Sequence, residues 1–154
     1  MTLAELAAGL GAPALRAASA GHVGGALPLF LALPGPGRPD DDLRVPEQIC
    51  AALGARAGVA IDSARSLVIR QGHAGGATAM EAALSLLARG AEGAIVGGID
   101  SRVHPEVVTW LDLAHRLHGE DAENGFLPGE GAAFVRLAGE GTSAARRPIA
   151  RVLQ

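Results

Sequence analysis

The chain has 154 residues, 49% of them hydrophobic and 19% charged, with a formal net charge of −3. That length suits one domain able to bury roughly two-thirds of its unfolded surface, and the apolar content excludes a disordered or highly solvated chain. All the basic side chains are Arg, outnumbered 13 to 16 by carboxylates, so the basic excess that a nucleic-acid binder needs is absent and no nucleic-acid partner is expected.

In chain order, residues 2–20 carry apolar positions at Leu3, Leu6, Ala7, Leu10, Leu15 and Ala18. This is a helical period, with Thr2 and Glu5 as a capping box. Gly11 and Pro13 interrupt it, which predicts two short helical pieces or one kinked helix. Residues 26–34, ALPLFLALP, form a continuous apolar run closed by a Pro- and Gly-rich loop. Such a run predicts a strand buried on both faces of a mostly parallel sheet. Pro46 suits a first helical position, and Ile49, Cys50, Leu53 and Ala57 mark a helix ending near Gly58. Residues 66–72 predict the next strand, and residues 73–90 a strongly striped helix stopped by Gly90. GAIVGG (93–98) predicts a third strand, HPEVVTWLDLAHRLH (104–118) a helix, GAAFVRLA (131–138) a fourth strand, and residues 148–154 a fifth. Alternation of this kind predicts a layered α/β fold.

No apolar stretch approaches the ~20 residues of a membrane span. The N-terminus carries Glu5 and no early Arg, unlike a signal peptide, so a cytoplasmic protein without a membrane partner is expected. The single Cys50 excludes an internal disulfide framework and a Cys-rich metal site, and it reads as a small core residue. His115 and His118 lie three apart on the predicted helix but lack a third ligand, so no metal is expected. His22, among glycines, reads as a surface residue. Arg146, Arg147 and Arg151 read as a solvated basic face.

Chemistry in open α/β sheets gathers where the carboxyl end of a strand meets a helix N-terminus. Gly72, Gly75 and Gly76 mark such a junction in VIRQGHAGGATAMEAA. Glycines there serve close strand–helix packing or aim backbone N–H groups at an anion. The loop is neither a Walker A nor a G-x-G-x-x-G sequence.

The stretch HAGGATAMEAALSLLARGAEGAIVGGIDS, followed by NGFLPGEGAAFVRLA, resembles the N-terminal half of the β-ketoacyl synthases, which have the thiolase fold. The whole chain, residues 1–154, then reads as a partial domain of that type, with the resemblance strongest over 66–138. Gly97, Gly98 and Asp100 match the family's strand ending Gly-Gly and the acidic or polar residue after it. Gly125, Phe126, Gly129, Glu130, Gly131 and Ala132 match the later Gly-Phe-x-x-Gly-Glu-Gly-Ala. The nucleophile elbow reads Gly72-His73-Ala74-Gly75-Gly76, so His73 occupies the position of the family's nucleophilic Cys. Gly90 follows it by 17 positions, the spacing expected from nucleophile to helix end.

The resemblance implies a layered α/β/α arrangement with one thiolase-like half-unit. Its half-sheet has order 3-2-1-4-5, with the first strand central. No Val-x-Thr-Gly-x-Gly-like first strand precedes residue 26, so a sheet lacking its central strand is expected, with rows of unpaired backbone groups. The competing expectations are a fragment of a longer protein, a sheet that closes up with ALPLFLALP beside GAIVGG, or a partner that fills the gap. The family's remaining catalytic residues belong to a C-terminal half that this sequence lacks, and His104, His115 and His118 do not match them.

The function implied is a ketosynthase-like protein without condensing activity, acting as a binding or assembly subunit. The alternatives are a decarboxylative acyltransferase completed by a C-terminal half or partner chain, and a small anion- or nucleotide-binding α/β module. No cofactor is implied. The implied partners are an acyl carrier protein and a second chain, like or unlike, paired along Leu67–Arg70. Glu130 is expected to hold a turn through backbone N–H bonds, and Asp100 to anchor a loop.

Overall fold

The computed structural model describes residues 3–39, 45–120, 122–139 and 148–152. Four helices and four strands alternate along it: α1 (Leu3–Ser19), β1 (Leu29–Ala32), α2 (Val45–Ala57), β2 (Leu67–Ile69), α3 (Gly75–Ala88), β3 (Gly93–Ser101), α4 (Pro105–Leu113) and β4 (Glu130–Ala138). The strands form one sheet in the order β2-β1-β3-β4. β1 runs parallel to both β2 and β3, and β4 runs antiparallel to β3. The chain is therefore an α/β fold with a mostly parallel four-stranded sheet.

The continuous apolarity of β1 has the origin expected of it. Leu29 and Leu31 face one core, with Ala12 and Leu15 of α1 and Ile49, Cys50, Leu53 and Ala57 of α2. Phe30 faces the other, with Ile69, Val96 and Ala79 and Ala83 of α3. A strand covered on both faces has no solvent side to mark with polar residues. The regular strand is shorter than the apolar run because Pro28 removes a ladder donor, although Leu27 still bridges to Ile61.

The expected gap in the sheet is absent. Leu31 stands opposite Val68 on one side and Gly97 on the other, so ALPLFLALP and GAIVGG are direct neighbours with their backbone groups paired. The closed-up alternative is the one observed.

α1 is one continuous helix through Gly11 and Pro13, so of the two expectations for this segment the single helix is the one observed; two other expectations are corrected below. Pro13 and Gly9 both lie on its exposed side, so water can satisfy the carbonyl that the proline leaves unbonded. Gly11 is buried, and a Cβ there would stand 2.6 Å from Ile99 and 2.8 Å from Leu53; the glycine lets α1 settle onto α2 and the sheet.

α4 stops at Leu113 instead of 118. His115 takes φ 52°, its N–H bonds the Asp112 carbonyl, and the Arg116 N–H bonds that of Leu111. This closes the helix as a Schellman motif on a histidine where glycine is usual. His115 and His118 therefore share no helix face. Finally, residues 148–152 form no strand. Thr2, Arg146, Arg147, Leu153 and Gln154 lie outside the described residues.

α3 ends as its sequence indicates. Gly90 has φ +92°, and the N–H groups of Gly90 and Ala91 return to Leu87 and Leu86.

Candidate functional site

β1 and β3 run parallel; β1 ends at Ala32 opposite Gly98, and β3 continues to Ser101. The loop after β1, the corner after β2 and the start of β4 converge on their carboxyl ends, enclosing an open cleft of about 520 Å³. Small residues make half of its walls: Ala32, Gly35, Gly72, Gly98 and Gly131–Ala133. Arg38, His73, Asp100 and Arg102 are its charged or titratable side chains.

The corner is built in two steps. Gly72, His73 and Ala74 form one turn of 3-10 helix that runs straight into α3. Gly72 has φ +55°, a backbone state that costs a side-chain-bearing residue about 1 kcal/mol or more. Gly75 is buried, and a Cβ there would meet Ala32 at 3.4 Å and Ile69 at 3.7 Å, so this glycine serves strand–helix packing. Gly76 faces open space. The Ala74 N–H bonds the Gln71 carbonyl and the Gly75 N–H bonds Gly72. Two donors that an anion loop would present are thus used within the turn. The Thr78 hydroxyl donates to Gln71 Oε1 at 2.7 Å and ties the corner to the first turn of α3.

His73 is exposed at the lip of this cleft, at the strand-to-helix junction. The only thiol is elsewhere. Cys50 lies on α2 in the core on the opposite face of the sheet from α3, where burial pushes its pKa up to about 11 and makes it a poor nucleophile.

Across the cleft, Asp100 holds two guanidinium groups. Arg38 Nη1 donates to its Oδ1 at 2.6 Å and Arg102 Nε to its Oδ2 at 3.2 Å. Arg38 also donates to the Ser101 carbonyl, and its side chain is 12% exposed. Asp100 thus links the loop after β1 to the end of β3 through Arg38. Sequence reading missed Arg38, because its partner lies 62 positions away and nothing local marks it. The same loop is pinned from the other side by a long hydrogen bond from Arg70 Nε to the Pro34 carbonyl. It also runs close to the corner: a Cβ at Gly35 would stand 3.4 Å from the Gly72 amide nitrogen.

The remaining motif residues serve structure. Gly97 lies under the Phe134 ring of the neighbouring strand. Gly98 backs onto the Ala32 carbonyl at a virtual Cβ distance of 3.3 Å. Gly125 packs against the backbone of Leu117 and His118. Phe126 lies beneath the guanidinium groups of Arg102 and Arg116, at 5.1 and 5.6 Å, and does not line the cleft. The Gly129 carbonyl accepts from Arg102 N–H. Glu130 departs from its expected role: it is the first residue of β4, and its carboxylate accepts from the Ser101 hydroxyl at 3.3 Å. His22 forms a loop contact between its Nε2 and the Gly25 carbonyl.

Among the described residues no cluster of His, Cys, Asp or Glu could hold a metal ion, and no helix is long and apolar enough to cross a membrane. No family model, curated protein or solved structure matches the chain.

Proposed function

We propose that this chain is a β-ketoacyl synthase-like protein that has lost condensing chemistry and acts as a binding or assembly subunit. The observation that carries the reading is the position of His73, at the strand-to-helix corner on the lip of the cleft. Condensation by the family's route needs a thiolate there, to accept an acyl group from a thioester and hold it until a carbanion attacks. An acyl-imidazole is hydrolysed too readily to store that group. The buried Cys50 stands on the far side of the sheet.

The sheet order supports the same reading. Set against a 3-2-1-4-5 half-sheet, β2-β1-β3-β4 corresponds to 3-2-4-5, with the central strand left out and the flanking strands joined. The partner of this reading is an acyl carrier protein delivering its prosthetic arm to the small-residue cleft, with a companion chain at the β2 edge beside Leu67–Arg70. The competing acyltransferase reading requires a C-terminal half or that companion to supply the family's remaining catalytic side chains. The anion-module reading loses support from the two N–H groups consumed within the corner.

The test is intact-mass measurement after exposure to acyl carrier protein thioesters, paired with a binding titration followed by Trp110, which is 39% exposed. The expected result is saturable binding with no acyl adduct. A stable adduct on His73, or no binding at all, would overturn the proposal. His73→Cys, tested with any companion chain, separates the readings further: a single lost side chain is restored by it, whereas a chain committed to assembly stays inactive in condensation.

A further inference from the structure

The two edges of the sheet differ in what they offer another chain. β2 has three residues, and β4 at the opposite edge has nine. On its inner side β4 pairs with β3 throughout its length. The Arg102 N–H bonds Gly129, and the Gly139 N–H bonds Glu92. In an antiparallel ladder the hydrogen-bonded positions alternate. The odd-numbered residues of β4 therefore direct their backbone groups to β3, and Glu130, Ala132, Phe134, Arg136 and Ala138 direct theirs outward. Among the described residues no segment pairs with that outer edge. β4 contains no proline, and its only charges are Glu130 and Arg136. Long edges without such protection are templates for another strand.

We infer that β4 pairs antiparallel with β4 of a second copy of this chain, about a two-fold axis at Ala133. The occupant follows from charge and size. In that register Glu130 stands opposite Arg136 of the partner, Ala132 opposite Phe134, and each pair recurs by symmetry. One residue type in each pair answers the other: carboxylate with guanidinium, small side chain with ring. On the other sheet face, Val135 stands opposite Gly131, and Ala133 meets its own mate. Val135 is 43% exposed in the single chain, because α3 lies over β1, β2 and β3.

Neighbouring registers that keep outward groups facing each other lack this match. An axis at Phe134 sets both charges opposite alanines. An axis at Ala132 sets Arg136 against Pro128, which has no N–H to give. The charges also keep compatible neighbours: Glu130 accepts from Ser101 at 3.3 Å, and Arg136 Nη1 stands 3.5 Å from His22 Nδ1. The pairing extends the sheet through a two-fold axis and leaves the β2 edge and the His73 corner uncovered. It does not depend on the proposed ketosynthase ancestry.

Sedimentation equilibrium of the full chain tests the inference, with four variants alongside the wild type. The wild type is a dimer. Arg136→Glu and Glu130→Arg each set like charges opposite twice, and weaken self-association about tenfold or more. The double exchange Glu130→Arg/Arg136→Glu recreates both pairs in reverse and restores the dimer, which a folding defect would not do. Leu67→Lys, on the β2 edge, leaves the dimer intact. A monomeric wild type, a dimer indifferent to Arg136→Glu, a double exchange that fails to rescue, or a dimer lost only in Leu67→Lys would each overturn it.

Discussion

Replacing Gly97 by alanine separates close strand packing from general strand preference. Gly97 sits in β3 between Leu31 of β1 and Phe134 of β4. A Cβ at this position would overlap the Phe134 ring and stand 2.5 Å from the Ala133 carbonyl oxygen. The ring can swing aside, but the carbonyl belongs to the paired backbone and must retreat by about 0.9 Å to reach ordinary contact near 3.4 Å. Overpacking of this kind costs about 1–3 kcal/mol. Relief of glycine's excess chain entropy returns about 0.5–1 kcal/mol, so the net expected loss is about 1–2 kcal/mol. In a chain of this size that lowers Tm by about 2–8 °C.

Gly98→Ala is the matched control. Its Cβ would meet the Ala32 carbonyl at 3.3 Å and nothing closer, so its cost stays below about 1 kcal/mol. Urea denaturation of both variants, together with Phe134→Ala and the Gly97→Ala/Phe134→Ala pair, completes the comparison. The pair should lose less than the sum of its members, because removing the ring removes half of the clash. Equal stability of Gly97→Ala and Gly98→Ala, or strict additivity in the pair, would refute the packing argument.

Three further outcomes follow from the same geometry. Because the Cys50 thiol is held near 11 against an ordinary 9.0, the unfolded chain loses its proton first; stability present below pH 9 falls as pH rises from 9 towards 11, by at most about 3 kcal/mol, and urea midpoints of Cys50→Ala lack that step. Asp100→Asn leaves Arg38 and Arg102 without their shared carboxylate, and costs about 1–3 kcal/mol; limited proteolysis should find the loop after β1 cleaved sooner, while an unchanged cleavage rate would count against the anchor. Gly72→Ala forces a side chain into the left-handed region and costs about 1 kcal/mol, read from the thermal midpoint; Gly76→Ala, with open space around it, should be neutral or stabilising.

The parts of the fold visible in the sequence were those governed by neighbours a few residues apart. The apolar run of β1, the stripe of α3 and its Gly90 stop are local patterns, and the structure follows them. The strand-to-helix corner at His73 was legible for the same reason, because a strand, a glycine cluster and a helix follow one another there. The end of α4 was not, since a histidine adopts the left-handed turn that a glycine would have announced. Neither was the path of α1, because nothing near Pro13 shows that its missing donor falls on the solvent side. The charged half of the cleft was illegible for a different reason. Arg38 and Asp100 meet only after β1 and β3 have paired, and no spacing rule links residues 62 positions apart.

The position of β1 in the middle of the sheet also bears on synthesis. It leaves the ribosome as the most apolar stretch so far made, yet its partners arrive much later: Leu67 faces Phe30, and Gly97 faces Leu31. Until those later segments emerge, Leu29 and Leu31 have only α1 and α2 to lean on, and Phe30, on the other face, has neither. A nascent chain of this kind must hold its stickiest segment unpaired for the time needed to add roughly half its length, at about 5–20 residues per second. The strand order thus sets how long that segment stays unpaired during synthesis, independently of how stable the finished sheet becomes.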